Sequence, residues 1–87
     1  MRAADPTVQT RRAAFGLAVR ARRQAHGWSQ FELAERAGCD PQSILRVEAA
    51  RNSPSLDRVF LLADALGVTP AELLAEADTR AAERGTW

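Results

Sequence analysis

Side chains that could do covalent or metal chemistry are scarce in this 87-residue sequence. It contains one histidine, His26, and one cysteine, Cys39, so neither an internal disulfide nor a histidine or cysteine metal cluster can form. A glycine-rich phosphate loop is also missing. We therefore predict no catalytic residue, no metal, no cofactor and no enzymatic activity. The chemistry left to the chain is hydrogen bonding by amide, hydroxyl and guanidinium groups.

Polar residues also mark the starts of two short helices. Ser29 and Glu32 have the spacing of a capping box, and Asp40 followed by Pro41 is typical of an N-cap and a first helical residue. Between them lies Gly38, which adopts at low cost the positive φ that ends a helix. The pattern predicts two short helices joined by a glycine turn, at the spacing of a DNA-reading helix-turn-helix.

The second of these helices has two different faces. Ile44 and Val47 share one side at the helical period and are expected to pack inward. The opposite side carries Gln42, Leu45 and Arg46. We expect the inward set to anchor the helix and the outward set to be free for recognition.

Capping residues, glycines and prolines predict three further helices, over 6–26, 56–66 and 70–83. Alanine, leucine, arginine and glutamate are frequent and β-branched residues are few, which favours helix throughout. We therefore predict an all-α fold of five helices without a sheet.

One domain is expected from the length of the chain and its composition, which is 46% hydrophobic and 26% charged. We place this domain at 8–77, with the helix-turn-helix motif at 29–51. A flexible arm is expected over 1–7 and a helix end or tail over 78–87. Trp87 has no predicted role.

The net charge is only +1, but it is unevenly distributed. Residues 1–36 contain seven arginines and three acidic residues, a balance of +4, whereas residues 55–87 contain three arginines and six acidic residues, a balance of −3. The amino-terminal part is thus the cationic side. No signal peptide or long apolar run is found, and we expect a cytoplasmic protein associated with the nucleoid rather than with a membrane.

Between residues 15 and 74 the sequence resembles the lambda-repressor-like or xenobiotic-response-element family of helix-turn-helix regulators. The segments that carry the resemblance are Arg23, SQFELAERAG, SILRVE, Pro54 and ALGVTPAELL, in this order. The resemblance implies a compact five-helix DNA-binding domain with double-stranded DNA as its partner.

The resemblance also assigns roles to individual residues. It implies base reading by four side chains of the second motif helix: Gln42, Ser43, Leu45 and Arg46. It implies DNA phosphate binding by Gln30, Arg51, Asn52 and Ser53. It implies a structural salt bridge between Arg23 and Glu48. For the polar side chains assigned to base reading and for the loop residues, the alternative is that they are ordinary solvent-exposed surface residues.

The sequence departs from the family pattern at the start and the end of the second motif helix. Pro41 stands where relatives often have a polar residue that contacts DNA, so only apolar contact remains possible there. Ala50 replaces a glycine that usually ends this helix. Because alanine at positive φ costs about 1 kcal/mol, we expect the helix to extend by one residue and to shift Arg51.

Two functional hypotheses follow. The first is a sequence-specific transcriptional regulator that binds a near-palindromic operator as a homodimer. The second is an antitoxin-like or adaptor module that uses the same fold to bind a protein, either a toxin or an adaptor target. We find no sequence that would form a separate small-molecule ligand domain.

Overall fold

Five α-helices make up most of the chain in the computed structural model, which describes residues 6–83. They are α1 (Pro6–Ala25), α2 (Gln30–Ala37), α3 (Pro41–Glu48), α4 (Leu56–Leu66) and α5 (Pro70–Glu83). No strand occurs in this part of the chain, so the predicted all-α fold is confirmed. Residues 1–5 of the predicted arm, and Trp87 with the end of the predicted tail, lie outside the described residues.

The predicted capping residues are in place at the helix starts. Ser29 Oγ accepts a hydrogen bond from the backbone of Glu32 at 3.1 Å, and the Glu32 carboxylate accepts one from the Ser29 backbone at 3.0 Å. Thr69 and Glu72 form the same reciprocal pair before α5. Asp40 caps α3, because its carboxylate accepts a hydrogen bond from the backbone amide of Ser43 at 2.8 Å. These bonds satisfy amide groups that a helix start leaves without an internal partner.

One continuous core joins all five helices. Its largest fully buried side chains are Val19, Leu33, Ile44, Leu62 and Leu73, which come from α1, α2, α3, α4 and α5 respectively. The contact between α1 and α5 is the most extensive of the fold. On these two helices, small residues are buried at Ala14, Ala18, Ala77 and Ala81, and small side chains permit close helix packing.

A glycine sets the distance between α1 and α3. A Cβ atom placed on Gly16 would lie 2.5 Å from the carbonyl oxygen of Val47 and 3.0 Å from that of Glu48. Both atoms belong to the backbone near the end of α3, so they cannot move aside without moving the helix. The missing side chain of Gly16 therefore lets α1 support α3 directly.

The end of α3 differs from the sequence prediction. The helix stops at Glu48, and Ala50 adopts a left-handed conformation with φ of 56°. The backbone amide of Ala50 donates a hydrogen bond to the carbonyl oxygen of Val47 at 3.1 Å, and the amide of Arg51 donates one to the carbonyl oxygen of Arg46 at 2.9 Å. These two bonds form a Schellman motif. The expected extension of the helix is thus wrong, because these two bonds satisfy carbonyl groups at the helix end and offset the strain of the alanine.

The histidine and the cysteine both have packing contacts. His26 stacks on Trp28 with ring centroids 4.0 Å apart, and its Nε2 lies 3.0 Å from the carbonyl oxygen of Leu66. On the other side of the turn, the Arg36 guanidinium lies 4.3 Å from the centroid of the Trp28 ring. Cys39 is partly buried against the core. These contacts give both residues a structural role at the joints between helices.

Several large apolar side chains remain exposed. On α4 and α5 these are Leu56, Phe60, Leu61 and Leu74, each at least 46% exposed. The apolar residues of α4 therefore divide into a buried set and an outward set. The outward set leaves apolar surface that the described part of the chain does not cover.

Candidate nucleic-acid interface

The outer face of α3 carries the side chains predicted to read bases. Gln42, Leu45 and Arg46 are all exposed, whereas Ile44 and Val47 on the other side are 0% and 4% exposed. The apolar side fixes the helix to the core, and the polar side is left facing solvent. Ser43 lies between the two faces and is partly buried.

A salt bridge fixes the carboxyl end of α3 to α1. The Arg23 guanidinium donates from Nε to Glu48 Oε2 at 2.7 Å and from Nη2 to Glu48 Oε1 at 3.0 Å. Its Nη1 donates to the carbonyl oxygen of Trp28 at 2.8 Å. The two side chains are only 11% and 5% exposed. The hydrogen bond with Glu48 is the main cause that raises the pKa of Arg23 above its ordinary value, although burial opposes it.

Gln30 belongs to the same network. It is the first residue of α2, and its Nε2 donates to Glu48 Oε1 at 3.1 Å. One carboxylate oxygen of Glu48 thus accepts hydrogen bonds from both Arg23 and Gln30. The network ties the start of α2 to the end of α3, and so fixes the angle between the two helices of the motif.

The loop between α3 and α4 lies beside this face. Arg51, Asn52 and Ser53, the predicted phosphate-binding residues of the loop, are all exposed. Next to them is a polar cavity of about 140 Å³. Its polar lining consists of Ser43, Arg46, Asn52, Ser53, Ser55 and Arg58. The cavity thus brings together predicted base-reading and phosphate-binding residues with Arg58, for which the sequence analysis predicted no role.

Arg58 lies beyond the motif, in the first turn of α4. Ser55 caps this helix, so Arg58 stands near the positive end of the helix dipole, and the acidic residue Asp57 precedes it in the same turn.

These features define a class of protein. A short helix with an exposed polar face, supported by a preceding helix across a glycine turn, is the arrangement of a DNA-binding helix-turn-helix domain. The helix-turn-helix family model matches residues 19–73. The chain belongs to this family, in its lambda-repressor-like or xenobiotic-response-element branch, whose members bind DNA and regulate transcription.

Similar proteins support this assignment. An uncharacterised HTH-type transcriptional regulator of Methanothermobacter thermautotrophicus is 45% identical over 49 residues, which are 56% of this chain and 71% of that protein. The crystal structure of the clp gene regulator ClgR from Corynebacterium glutamicum has a TM-score of 0.81 at 31% identity, covering 86% of this chain and 80% of that one. The restriction-modification controller protein C.AhdI from Aeromonas hydrophila has a TM-score of 0.68 at 38% identity, covering 70% of this chain and 92% of that one.

The family and the fold predicted from the sequence are therefore confirmed. As for membranes, none of the helices within residues 6–83 combines the length and the apolar character that a transmembrane span requires.

Proposed function

We propose that this protein is a sequence-specific transcriptional regulator that binds double-stranded DNA as a homodimer. The observation that carries the proposal is the exposed face of α3, where Gln42 and Arg46 project from a helix fixed by the Arg23–Glu48 salt bridge. A rigidly held helix with free amide and guanidinium groups is suited to the major groove, where each base pair presents a distinct set of donors and acceptors.

The base-reading roles follow from the chemistry of the four side chains. Gln42 pairs with adenine through two hydrogen bonds, and Arg46 does so with guanine. Leu45, which is 45% exposed, packs on a thymine methyl group. Ser43 contacts a base edge or a phosphate from the side of the helix.

The phosphate contacts lie on both sides of α3. Gln30 stands at the amino terminus of α2, where the helix dipole favours an anion. The exposed loop residues Arg51, Asn52 and Ser53 bind the backbone on the other side. These contacts position the domain on the duplex, and the α3 side chains select the sequence.

A second copy of the chain completes the proposed regulator. The exposed apolar residues of α4 and α5 supply surface that a homodimer would bury. Two recognition helices related by twofold symmetry enter successive major grooves about 34 Å apart, which requires a near-palindromic operator. The proposed place of action is the nucleoid in the cytoplasm.

Selection of bound sites from random duplex DNA tests this proposal. We expect the wild-type protein to enrich a near-palindromic motif, and Arg46→Ala to lose the preference at one position of each half-site while it stays folded. Arg80→Ala, which removes an arginine near Glu76 on α5, serves as the control and should enrich the wild-type motif. Binding only at very low salt, with random DNA competing equally, would exclude the proposal.

A second candidate is an antitoxin-like or adaptor module that binds a protein. Phe31 favours it, because this aromatic residue of α2 is 73% exposed. Together with Glu32 and Glu35 it lines a groove of about 360 Å³ that also includes Cys39 and Pro41. A pull-down from the native cell with and without nuclease separates the candidates. A toxin or adaptor target that stays bound after nuclease treatment, and is lost with Phe31→Ala, supports this second function.

A further inference from the structure

A largely apolar cavity of about 470 Å³ lies between the first half of α1, the loop before α4, and α5. Three buried side chains from three different helices form its floor: Phe15, Val59 and Ala77. The rest of the apolar lining is accessible to solvent and consists of Val8, Pro54 and Leu74. Small-molecule sites are concave, mostly apolar and about 300 to 1,000 Å³ in volume. The cavity therefore has the size and the character of a ligand site.

The polar side chains around this cavity have a positive balance. Arg11, Arg12 and Ser53 line it together with one carboxylate, that of Asp78. Within residues 6–83, neither Arg12 nor Asp78 takes part in a salt bridge, so the aspartate does not neutralise the arginine. The Nε atom of Arg12 is also shielded from water without a hydrogen-bond partner. A partly buried guanidinium group that lacks a counter-charge favours an anion beside it.

These two properties together select the kind of ligand. Apolar walls favour a hydrocarbon chain or ring, and the cation favours a carboxylate group at one end of it. A small inorganic anion would leave the apolar floor uncovered, whereas a neutral hydrocarbon would leave Arg12 without a counter-charge.

The cavity also differs from the exposed apolar surface of α4. Phe60 and Leu61 belong to that outer surface and do not line the cavity, and of the outward set only Leu74 is shared. A concave floor of buried side chains suits a small molecule that enters it, whereas the outward leucines and phenylalanine suit a protein surface laid across them.

We propose that this cavity, here named the Arg12 cavity, binds a small amphipathic carboxylate. The hydrocarbon part of the ligand covers Phe15, Val59 and Ala77, and its carboxylate pairs with the guanidinium group of Arg12. The buried apolar part supplies most of the affinity, and the charged pair fixes the orientation. Binding at this site needs neither DNA nor a separate ligand domain, so it is independent of the proposed function.

Isothermal titration calorimetry of the full chain with straight-chain carboxylates tests the Arg12 cavity. We expect one octanoate to bind per chain, and the affinity to rise about three- to fourfold for each methylene group added between hexanoate and octanoate. Octanol has the same chain length without the charge. It should bind about tenfold more weakly than octanoate, the factor expected for one charge-assisted pair. Octanoate that binds no better than octanol would contradict the proposed role of Arg12.

Substitutions on each side of the ligand separate the charged contact from the apolar one. Arg12→Gln should lower octanoate affinity about tenfold and leave octanol affinity unchanged, and Arg12→Lys should recover part of the loss. Arg20→Gln removes the same charge from an exposed position of α1 and is the matched control. Leu74→Ala should weaken both ligands several-fold. Leu61→Ala, at a leucine of similar exposure outside the cavity, should leave both affinities near wild type.

Thermal unfolding of each variant establishes that it is folded, and sedimentation gives its oligomeric state. Equal octanoate affinity in Arg12→Gln and Arg20→Gln would overturn the proposal, because the ligand would then bind apolar surface in general. A wild-type protein that binds no octanoate overturns it as well. If that wild type is dimeric while Leu74→Ala is monomeric, a second copy of the chain covers the cavity. The selection of DNA sites is a separate experiment, so each of these outcomes leaves the proposed function intact.

Discussion

Arg23 and Glu48, which are 25 residues apart in sequence, form a two-pronged salt bridge with distances of 2.7 and 3.0 Å. Nη1 of Arg23 also donates a hydrogen bond to the backbone carbonyl oxygen of Trp28, in the turn before α2. Oε1 of Glu48 also accepts a hydrogen bond from the side-chain amide of Gln30. One ion pair thus connects α1, the start of α2 and the end of α3, which are the parts that set the position of the recognition helix.

We predict that Arg23→Ala lowers the free energy of unfolding by about 3 kcal/mol, because it leaves the Glu48 carboxylate buried without its cation. Urea unfolding measures the change. Arg22→Ala is the matched control: its ion pair with Glu76 has side chains that are 39% and 24% exposed, and its loss should cost at most about 1 kcal/mol. Equal losses from the two variants would contradict the structural role assigned to Arg23.

Gly16→Ala should destabilise the protein by about 1–3 kcal/mol. Alanine normally stabilises a helix relative to glycine by about 1 kcal/mol, but here its Cβ would collide with backbone carbonyls at the end of α3. Thermal unfolding shows whether the substitution lowers or raises stability. DNA affinity should fall as well, because the added Cβ atom displaces α3. Arg20→Ala, an exposed change on the same helix, should alter stability by less than about 0.5 kcal/mol. A more stable Gly16→Ala protein would show that α1 and α3 are further apart.

Ala50→Gly should stabilise the protein by about 1 kcal/mol and raise the melting temperature by about 4–8 °C. The reason is that Ala50 has a φ of 56°, which glycine adopts without the steric cost of a Cβ atom. The neighbouring change Ala49→Gly is the control, since Ala49 has a φ of −86° and gains nothing from glycine. Ala49→Gly should therefore leave the melting temperature unchanged or lower it. An equal rise in melting temperature in both variants would show that the left-handed conformation of Ala50 is not the cause.

Stability should fall in acid through the three capping carboxylates. The pKa values of Glu32 and Glu72 are lowered mainly by hydrogen bonds from the Ser29 and Thr69 backbones, and that of Asp40 by the bond from Ser43. A lowered pKa in the folded state gives stability that is complete above the unfolded pKa, near 4, and is lost as the pH falls through the folded value.

Urea unfolding at a series of pH values between 7 and about 2 measures this loss. Glu32→Gln and Glu72→Gln should each be less stable than wild type at pH 7 and should lose less stability in acid. If the wild type and the variant with both substitutions lose the same stability in acid, the capping carboxylates do not contribute to the acid dependence.

Gln30→Ala should weaken DNA binding about three- to tenfold and by the same factor on all sequences, as expected for one phosphate hydrogen bond. Because glutamine is uncharged, the slope of log affinity against log salt should not change. Glu48 keeps its bonds to Arg23, so the stability loss should stay near 1 kcal/mol. Gln24→Ala, an exposed change on α1, is the control and should bind like wild type. A preference altered at one base position would instead make Gln30 a base reader.

Local chemistry explains why the helices and the family could be predicted from the sequence alone. A capping box or a left-handed glycine forms its bonds within about four residues, so Ser29, Gly38 and Asp40 mark helix boundaries without knowledge of the fold. The helical period likewise separates the two faces of α3, because it depends only on the spacing of apolar residues.

Only the tertiary structure decided how these elements meet. The contact of Gly16 with the backbone of α3, the left-handed Ala50 and the buried nitrogen of Arg58 depend on segments that are distant in sequence or on competing backbone bonds. Which apolar residues of α4 are covered was decided in the same way, since burial is a property of the whole packed chain and not of a local pattern. The sequence alone therefore determined the recognition helix, whereas packing decided its exact end, its support by α1 and the polar cavity beside it.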